Sequence, residues 1–319
     1  MATERCSPDA GMWDALVDRQ RGFLNFTPGL LAALRETRVA VLGCGGNGVV
    51  VDHLVRLGFQ RFVLVDPDVV EPSNLNRLPF GVEAVGLPKV EAWQRHLLAV
   101  NPDCEISVYP RALDRHDGLW LSGLLDAVDL VCLGATGVEA NLLAGRVCAS
   151  LGRRMLVGPA SSGAWVVSTF THAGTHEGTH EGGVTMESLL GLGTEAREME
   201  DIDFAAAASR LQALLWYPGR GRRYAPGVPE AVRSGEMPAR SCRVFVSLAN
   251  AAMAFEAVKN VAALRGLPWE GGPGVVAMPV LHVFDPYSGC AYYYDVTRRA
   301  VGIPDWLTGQ VRWQPYAGK

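Results

Sequence analysis

The sequence predicts an α/β protein with a doubly wound, mostly parallel sheet that is extended by C-terminal antiparallel strands. Short apolar segments alternate with helical segments from residue 38 to residue 171, and this alternation is typical of parallel strands covered by helices on both faces. A glycine-rich turn joins the first strand to the first helix of that series. Near the C-terminus, the apolar segments 279–285 and 290–296 flank a Pro-Tyr-Ser-Gly turn and indicate two further strands.

Each element is predicted from its own pattern. Residues 8–38 indicate a helical arm with a loop. The predicted strands are short apolar runs at 38–42, 61–65, 106–109, 130–133, 155–157 and 165–171. The predicted helices, with apolar residues at helical spacing, are 49–57, 89–100, 139–151, 204–215 and 242–264. Gly58 directly follows the first of these helices, as a C-cap glycine does.

The chain is predicted to form one domain that is interrupted by a long insertion. Residues 1–37 are the N-terminal helical arm, and 38–171 form a nucleotide-binding α/β domain. Residues 172–240 are rich in Gly, His, Glu, Arg and Pro and too long for an ordinary connection, so we expect a partly mobile crossover insertion. Its Gly-Thr-His-Glu repeat is interpreted as a solvated loop, because the glycines disfavour a helical metal site. Residues 241–319 supply the helix and strands that complete the domain.

Net charge, apolar runs and cysteine spacing indicate which partners and which cellular location to expect. The 319 residues are 49% hydrophobic with a net charge of −4, so we expect no nucleic acid and no anionic membrane as partner. From the sequence we expect no apolar run long enough to span a membrane. Residues 1–10 lack the apolar core of a secretion signal, so we do not expect secretion. The seven cysteines form no CxxC pair, so we expect no zinc, no disulfide framework and a cytoplasmic location.

A nucleotide site is predicted at the glycine-rich turn. Gly43, Gly45 and Gly48 match G-x-G-x-x-G between a strand and a helix, and with Gly46 they would let backbone amides approach a phosphate. Asp66 follows Gly46 by twenty residues at the end of the next strand. A carboxylate there accepts hydrogen bonds from ribose hydroxyls. The sequence therefore predicts a Rossmann-like nucleotide-binding fold.

Downstream residues favour ATP over NAD or FAD. The segment Ser73-Asn74-Leu75-Asn76-Arg77 is followed by Gly86-Leu87-Pro88-Lys89-Val90-Glu91. A dinucleotide-dependent enzyme has no need of an arginine and a lysine after the ribose aspartate. An enzyme that releases pyrophosphate does, because the leaving charge must be neutralised.

This ordered set of motifs resembles the ThiF/MoeB family of adenylating enzymes, which are related to ubiquitin activators. The resemblance is clear over residues 15–170 and implies ATP and Mg²⁺ as cofactors. It implies a homodimer in which Arg19, within Asp18-Arg19-Gln20, reaches the triphosphate of the neighbouring protomer, although Arg21 is an alternative. It makes Arg77, Lys89 and Arg19 catalytic, and it implies the nucleotide-binding residues Gly43, Gly45, Gly46, Gly48, Asp66, Asn74, Arg77 and Lys89.

Two departures from the family pattern affect the predicted chemistry. Gly137 stands where the family has its magnesium-binding aspartate. Glu139 could supply the carboxylate, Asp68 could hold metal together with the triphosphate and water, or the subunit is catalytically silent. No cysteine occurs in 172–241, and Cys242 opens an apolar helix, where a buried thiol is expected. An acyl adenylate is therefore a more plausible product than a thioester.

The predicted function is ATP-dependent adenylation of a carboxylate, on a peptide or small-protein C-terminus or a similar acyl group, to give acyl-AMP. Two alternatives stay open: a nucleotide-binding pseudoenzyme that completes an active partner, and an NAD- or FAD-dependent oxidoreductase, which Arg77 and Lys89 disfavour. Residues 280–287 also resemble the ending of bacterial ThiF-type proteins, which points to a role in tailoring a peptide or a small protein.

Overall fold

The computed structural model describes residues 11–134, 137–158, 160–161, 164–171, 184–194, 197–214, 225, 227–233, 236, 241–304 and 310–315. Its helices are α1 Met12–Val17, α2 Pro28–Glu36, α3 Val50–Arg56, α4 Lys89–Val100, α5 Gly118–Leu125, α6 Val138–Ser150, α7 Met186–Leu190, α8 Phe204–Leu214, α9 Val228–Arg233 and α10 Arg243–Leu264. Its strands are β1 Arg38–Leu42, β2 Arg61–Val65, β3 Glu105–Tyr109, β4 Leu130–Leu133, β5 Arg154–Val157, β6 Ala160–Ser161, β7 Ala164–Phe170, β8 Val280–Asp285, β9 Cys290–Asp295, β10 Ala300–Pro304 and β11 Val311–Pro315.

The strands form one sheet whose first half is parallel. The strand order β3-β2-β1-β4-β5 is parallel throughout, with β1 paired to β2 on one side and to β4 on the other. The chain adds β2 and β3 on one side of β1 and then returns to add β4 and β5 on the other side, so the strand order switches between β1 and β4. In sheets of this type, ligands bind outside the carboxyl ends of the strands at that switch point. The topology thus places the glycine-rich turn after β1 at the expected ligand position.

The second half of the sheet is antiparallel. β7 pairs antiparallel with β5 and β8, and β8 continues through β9 and β10 to β11. The predicted fold class, a Rossmann-like parallel sheet extended by antiparallel strands, is confirmed. The boundaries predicted for the insertion stay a prediction, and its histidine repeat at 172–183 lies outside the described residues.

Six helices and strands among the described residues were not predicted: α5, α7, α9, β6, β10 and β11. Strands β10 and β11 were not expected, because Gly302 and Pro304 both disfavour a strand assignment. Gly302 fits its position because the Trp313 ring from β11 packs closely against it: a Cβ there would lie 3.1 Å from Trp313 Cε3. Helix α5 was missed because its apolar residues are nearly continuous, which hides helical periodicity.

Helices cover both faces of the parallel half. One core contains buried residues of α2, α3, α4 and α10, and the other contains those of α5, α6 and α7. Helix α10 is long and apolar enough to cross a membrane by length and composition, contrary to the expectation that no segment reaches that length. Because 61% of its most apolar window is buried inside the protein, core packing accounts for this composition.

Candidate functional site

The turn after β1 favours glycine at Gly43 by its backbone conformation and leaves little room for a side chain at Gly48. Gly43 has φ 91°, a left-handed conformation that other residues rarely adopt. Gly48 lies under Trp93, and a Cβ there would be 3.3 Å from both Trp93 Nε1 and Cys44 Cβ. Apart from the two chain neighbours, no atom of the described residues would lie within 4 Å of a Cβ on Gly45. The turn, called here the glycine loop (residues 43–48), is therefore braced from below and open above Gly45.

Asp66 lies at the end of β2 and holds the glycine loop. Its side chain is buried, Oδ2 accepts a hydrogen bond from Cys44 N at 2.6 Å, and Oδ1 accepts one from Asp68 N at 2.9 Å. Burial raises the pKa of the Asp66 carboxyl, and these backbone amides oppose that rise. Each carboxylate oxygen retains capacity for a second hydrogen bond. The structure therefore brings the predicted ribose acceptor to the loop and adds a bracing role to it.

Lys89 begins α4 beside Asp66. Its Nζ lies 2.6 Å from Asp68 Oδ2 and 4.0 Å from Asp66 Oδ1. The lysine is 7% exposed, whereas 62% of the Asp68 side chain is exposed. The ammonium is already paired with these carboxylates, so an anionic ligand would have to replace the exposed Asp68 as its close partner. Once it did, the attraction would be strong because little water screens a buried charge. The predicted phosphate-neutralising lysine thus lies next to the ribose acceptor.

Arg77 borders the glycine loop at Gly46. Its Nη1 donates to Ser73 O at 3.0 Å and to Asn76 Oδ1 at 3.0 Å. A Cβ on Gly46 would lie 3.7 Å from Arg77 Nε, so the guanidinium borders the loop directly. Asn74, by contrast, is buried, and its Oδ1 accepts from Glu71 N at 3.3 Å. Asn74 therefore shapes the turn that carries Arg77.

The start of α10 joins the loop and the Arg77 segment, a feature that sequence reasoning missed. Arg243 Nη1 donates to Arg77 O at 2.8 Å, and Asn250 Nδ2 donates to Gly46 O at 3.0 Å. Asn250 is fully buried, and its Oδ1 has no hydrogen-bond partner in the described part of the chain. The available signal was an amide in the middle of an apolar helix, where a polar residue needs a partner.

The arm arginines differ in their contacts. Arg21 forms ion pairs with Asp14 at 2.7 Å and with Asp18 at 3.8 Å. Arg19 lies in the exposed turn Asp18–Gln20, and within the described ranges none of its contacts is an ion pair. Between the two alternatives, Arg19 is therefore the arginine available to a ligand or a partner. Its action across a dimer stays a prediction, since one chain is described.

Glu139 is paired with Arg115. The Glu139 carboxylate accepts from Arg115 N at 2.8 Å, Nε at 2.9 Å and Nη2 at 3.2 Å. The Arg115 hydrogen bonds hold the pKa of Glu139 below its ordinary value. Gly137, with φ 95°, precedes α6 and presents no side chain. Magnesium would compete with Arg115 for Glu139, so its predicted metal role is untested and lacks support from this arrangement.

Three further features of the sequence were candidates for a metal site, a nucleophile or a substrate contact. Among the residues that the structure describes, no group of three or more His, Cys, Asp or Glu side chains could hold a metal ion. Cys242 is half-buried at the N-cap of α10, where the sequence placed it at the start of that helix. The turn at 158–163 that follows β5 lies partly outside the described ranges.

Comparison with known proteins identifies a matching family model. The model of the ThiF family matches residues 17–263. Ubiquitin-like modifier-activating enzyme 5 of Drosophila willistoni is 47% identical over 77 residues, 24% of this chain and 19% of that protein. The enzyme of the same name from Caenorhabditis briggsae is 37% identical over 124 residues, 36% of this chain and 29% of that protein. The chain thus matches less than a third of either relative.

Solved structures share the fold at low sequence identity. E. coli MccB crystallised with AMPCPP and MccA superposes with a TM-score of 0.56 at 15% identity, covering 84% of this chain and 66% of that one. E. coli MccB with succinimide gives 0.60 at 15% identity, covering 92% and 73%. PaaA gives 0.57 at 18% identity, covering 84% and 75%. The architecture described above is therefore the architecture of these proteins.

Proposed function

Because this chain belongs to the ThiF family, whose model matches residues 17–263, we propose that it is an ATP-dependent adenylyltransferase. It activates the carboxylate of a peptide or small-protein C-terminus, or of a similar acyl group, as an acyl adenylate. Family membership and the likeness to ubiquitin-like modifier-activating enzymes and MccB support adenylation of a carboxylate in general. The MccB structure that holds AMPCPP and MccA supports a nucleotide and a peptide as the two substrates.

The convergence of two cations on the glycine loop carries this proposal. Lys89 lies within 4.0 Å of Asp66, and Arg77 borders Gly46. A substrate carboxylate oxygen attacks the α-phosphorus of ATP, a new O–P bond forms, and the bond to the β-phosphate bridging oxygen breaks. Pyrophosphate leaves with that electron pair. Fixed cations and loop amides stabilise the charge that develops on it, whereas hydride transfer creates no such charge.

Magnesium accompanies ATP in this proposal. Mg²⁺ is commonly held by one or two carboxylates together with substrate phosphates and water, and when bound it neutralises phosphate charge. Asp68 fits as the protein ligand, because most of its side chain is exposed beside Lys89. Glu139 fits less well, since Arg115 contacts both of its carboxylate oxygens.

The metal assignment predicts different magnesium requirements for two variants. We expect Asp68→Asn to raise the Mg²⁺ concentration for half-maximal ATP–pyrophosphate exchange by about 10–100-fold, the cost typical of disturbing a metal shell. Glu139→Gln keeps a side chain that can bond to Arg115, and we expect it to leave the Mg²⁺ requirement unchanged. A larger shift in Glu139→Gln than in Asp68→Asn would return the metal role to Glu139.

Removal of the Asn250 side-chain amide should weaken ATP binding without a general loss of stability. We expect Asn250→Ala to raise the KM for ATP by about 5–10-fold, because one hydrogen bond to the loop carbonyl is worth about 1 kcal/mol. Asn260→Ala is the matched control: this asparagine is equally buried in α10, and its Nδ2 donates to Glu256 O and to Thr169 Oγ1. Equal KM changes in both variants would mean that Asn250 only stabilises the helix.

Nucleotide choice separates the three functional classes. We expect ATP with Mg²⁺ to raise the thermal unfolding midpoint and NAD to leave it unchanged, since a ligand stabilises only the state that binds it. Differential scanning fluorimetry at matched nucleotide concentrations measures this. Stabilisation by NAD alone would favour an oxidoreductase. Stabilisation by ATP without any exchange activity would favour a silent subunit of an adenylating pair.

A further inference from the structure

An apolar cavity of about 120 Å³ lies at the carboxyl edge of β4 and β5. Asn47 of the glycine loop and Gly134, which follows β4, are among the residues that line it. Its walls include Val157, Val166, Leu189 and Leu281. We call this cavity the terminal-residue pocket.

The terminal-residue pocket adjoins the predicted nucleotide site, because Asn47 of the glycine loop is one of its lining residues. Gly134 packs under the glycine loop, and a Cβ there would lie 2.8 Å from Leu42 O. The predicted phosphate-binding loop therefore also lines part of the pocket. The other lining residues of the pocket include members of β4, β5, β7 and β8, which lie on the side of β1 away from β2 and Asp66. A substrate whose carboxylate reaches the α-phosphate from this side would place its terminal side chain here.

The size and lining of the pocket indicate the class of side chain. An apolar cavity of about 150 Å³ stays dry and holds one benzene molecule, so this slightly smaller space suits one branched aliphatic side chain. A charged side chain would lose its hydration there without a partner. Glycine would leave the space empty, and unfilled apolar space sacrifices packing contacts. Asn47 and Asn141 supply the polar lining among the described residues.

Resting on the adenylation reaction proposed above, we propose that the terminal-residue pocket binds the side chain of the residue whose carboxylate is activated. It selects a medium-sized apolar residue such as valine, leucine or methionine. The enzyme thereby discriminates against peptides that end in glycine or in a charged residue.

Direct binding of an apolar probe tests the pocket without any catalysis. We expect toluene to bind the wild-type protein in saturation-transfer NMR. Leu189→Trp, a half-buried position on α7, fills the pocket and should abolish that signal. Leu264→Trp, at the 39% exposed end of α10, is the matched control and should keep it. No toluene signal in the wild type, or an equal signal in both variants, would overturn the pocket.

Exchange activity then tests selectivity. N-acetyl-alanyl peptides ending in Gly, Val, Leu, Asp or Lys are assayed in ATP–pyrophosphate exchange with the wild type and Leu189→Trp. We expect Leu to exceed Gly by at least about 10-fold, the scale of methylene discrimination, and Leu189→Trp to reverse that order. A wild-type preference for Gly, Asp or Lys would overturn the proposal. Toluene binding without exchange from any peptide would support an apolar site and contradict the proposed function instead.

Discussion

Lys89→Met is expected to lower ATP–pyrophosphate exchange by about 10²–10³-fold, the loss typical when one preorganised charge-stabilising group is removed. The methionine keeps the packing of the aliphatic stem at the start of α4 but removes the ammonium that lies 2.6 Å from Asp68. The charge of the leaving pyrophosphate would then be poorly compensated. Stopped assays with radiolabelled pyrophosphate measure this loss.

Lys89→Arg and two arginine variants serve as controls. Lys89→Arg keeps the charge and should retain more activity than Lys89→Met. Arg77→Ala should lose activity on the same scale as Lys89→Met, whereas Arg298→Ala removes a 72% exposed arginine side chain far along the antiparallel strands and should cost nothing measurable. Normal exchange in Lys89→Met, with folding verified by thermal unfolding, would remove Lys89 from the catalytic machinery.

Arg19→Ala is expected to reduce exchange by about 10³-fold or more, because an arginine supplied to a phosphoryl-transfer site in trans has effects of this size. Its exposed position, beside an Arg21 that is already paired with Asp14, makes it available to a neighbouring protomer. Mixing Arg19→Ala with Lys89→Met should then restore activity. Each hybrid dimer contains one site with both residues intact, so random exchange should recover about a quarter of the wild-type rate.

The mixing experiment needs proof of subunit exchange. Differently tagged variants, copurified after mixing, report the fraction of hybrids. Hybrids without recovered activity would show that Arg19 acts within its own protomer or has no role. Arg21→Ala, which breaks only the pairs with Asp14 and Asp18, should keep most of the activity.

Local patterns predicted which residues come together beside the glycine loop, while their binding of a nucleotide stays a prediction. The glycine loop, Asp66 and Lys89 belong to two consecutive strand–helix units, and the order of parallel strands brings their carboxyl ends together. Residues close in sequence and fixed by regular structure can be placed without coordinates. The sequence also predicted that the C-terminal helix and strands complete the same domain. Strand β8 does so by pairing with β7.

Contacts between distant segments could not be predicted in this way. Asn250 bonds to Gly46 across 204 residues of sequence, and no local pattern specifies that pairing. Glu139 was proposed as a metal ligand from its spacing to Gly137, but spacing does not determine which face of α6 a side chain occupies. The salt bridge to Arg115 at 2.9 Å depends on the loop before α5, whose position only tertiary packing determines.

The central claim, that this chain adenylates a carboxylate, is tested most directly by ATP–pyrophosphate exchange in the wild type beside Gly137→Asp. Wild-type protein is incubated with ATP, Mg²⁺, radiolabelled pyrophosphate and the acetylated peptides. We expect label to enter ATP only when a peptide is present, and Lys89→Met to abolish that incorporation. Exchange absent from the wild type, yet present in Gly137→Asp, would contradict the claim and identify a subunit silenced by the loss of the family aspartate.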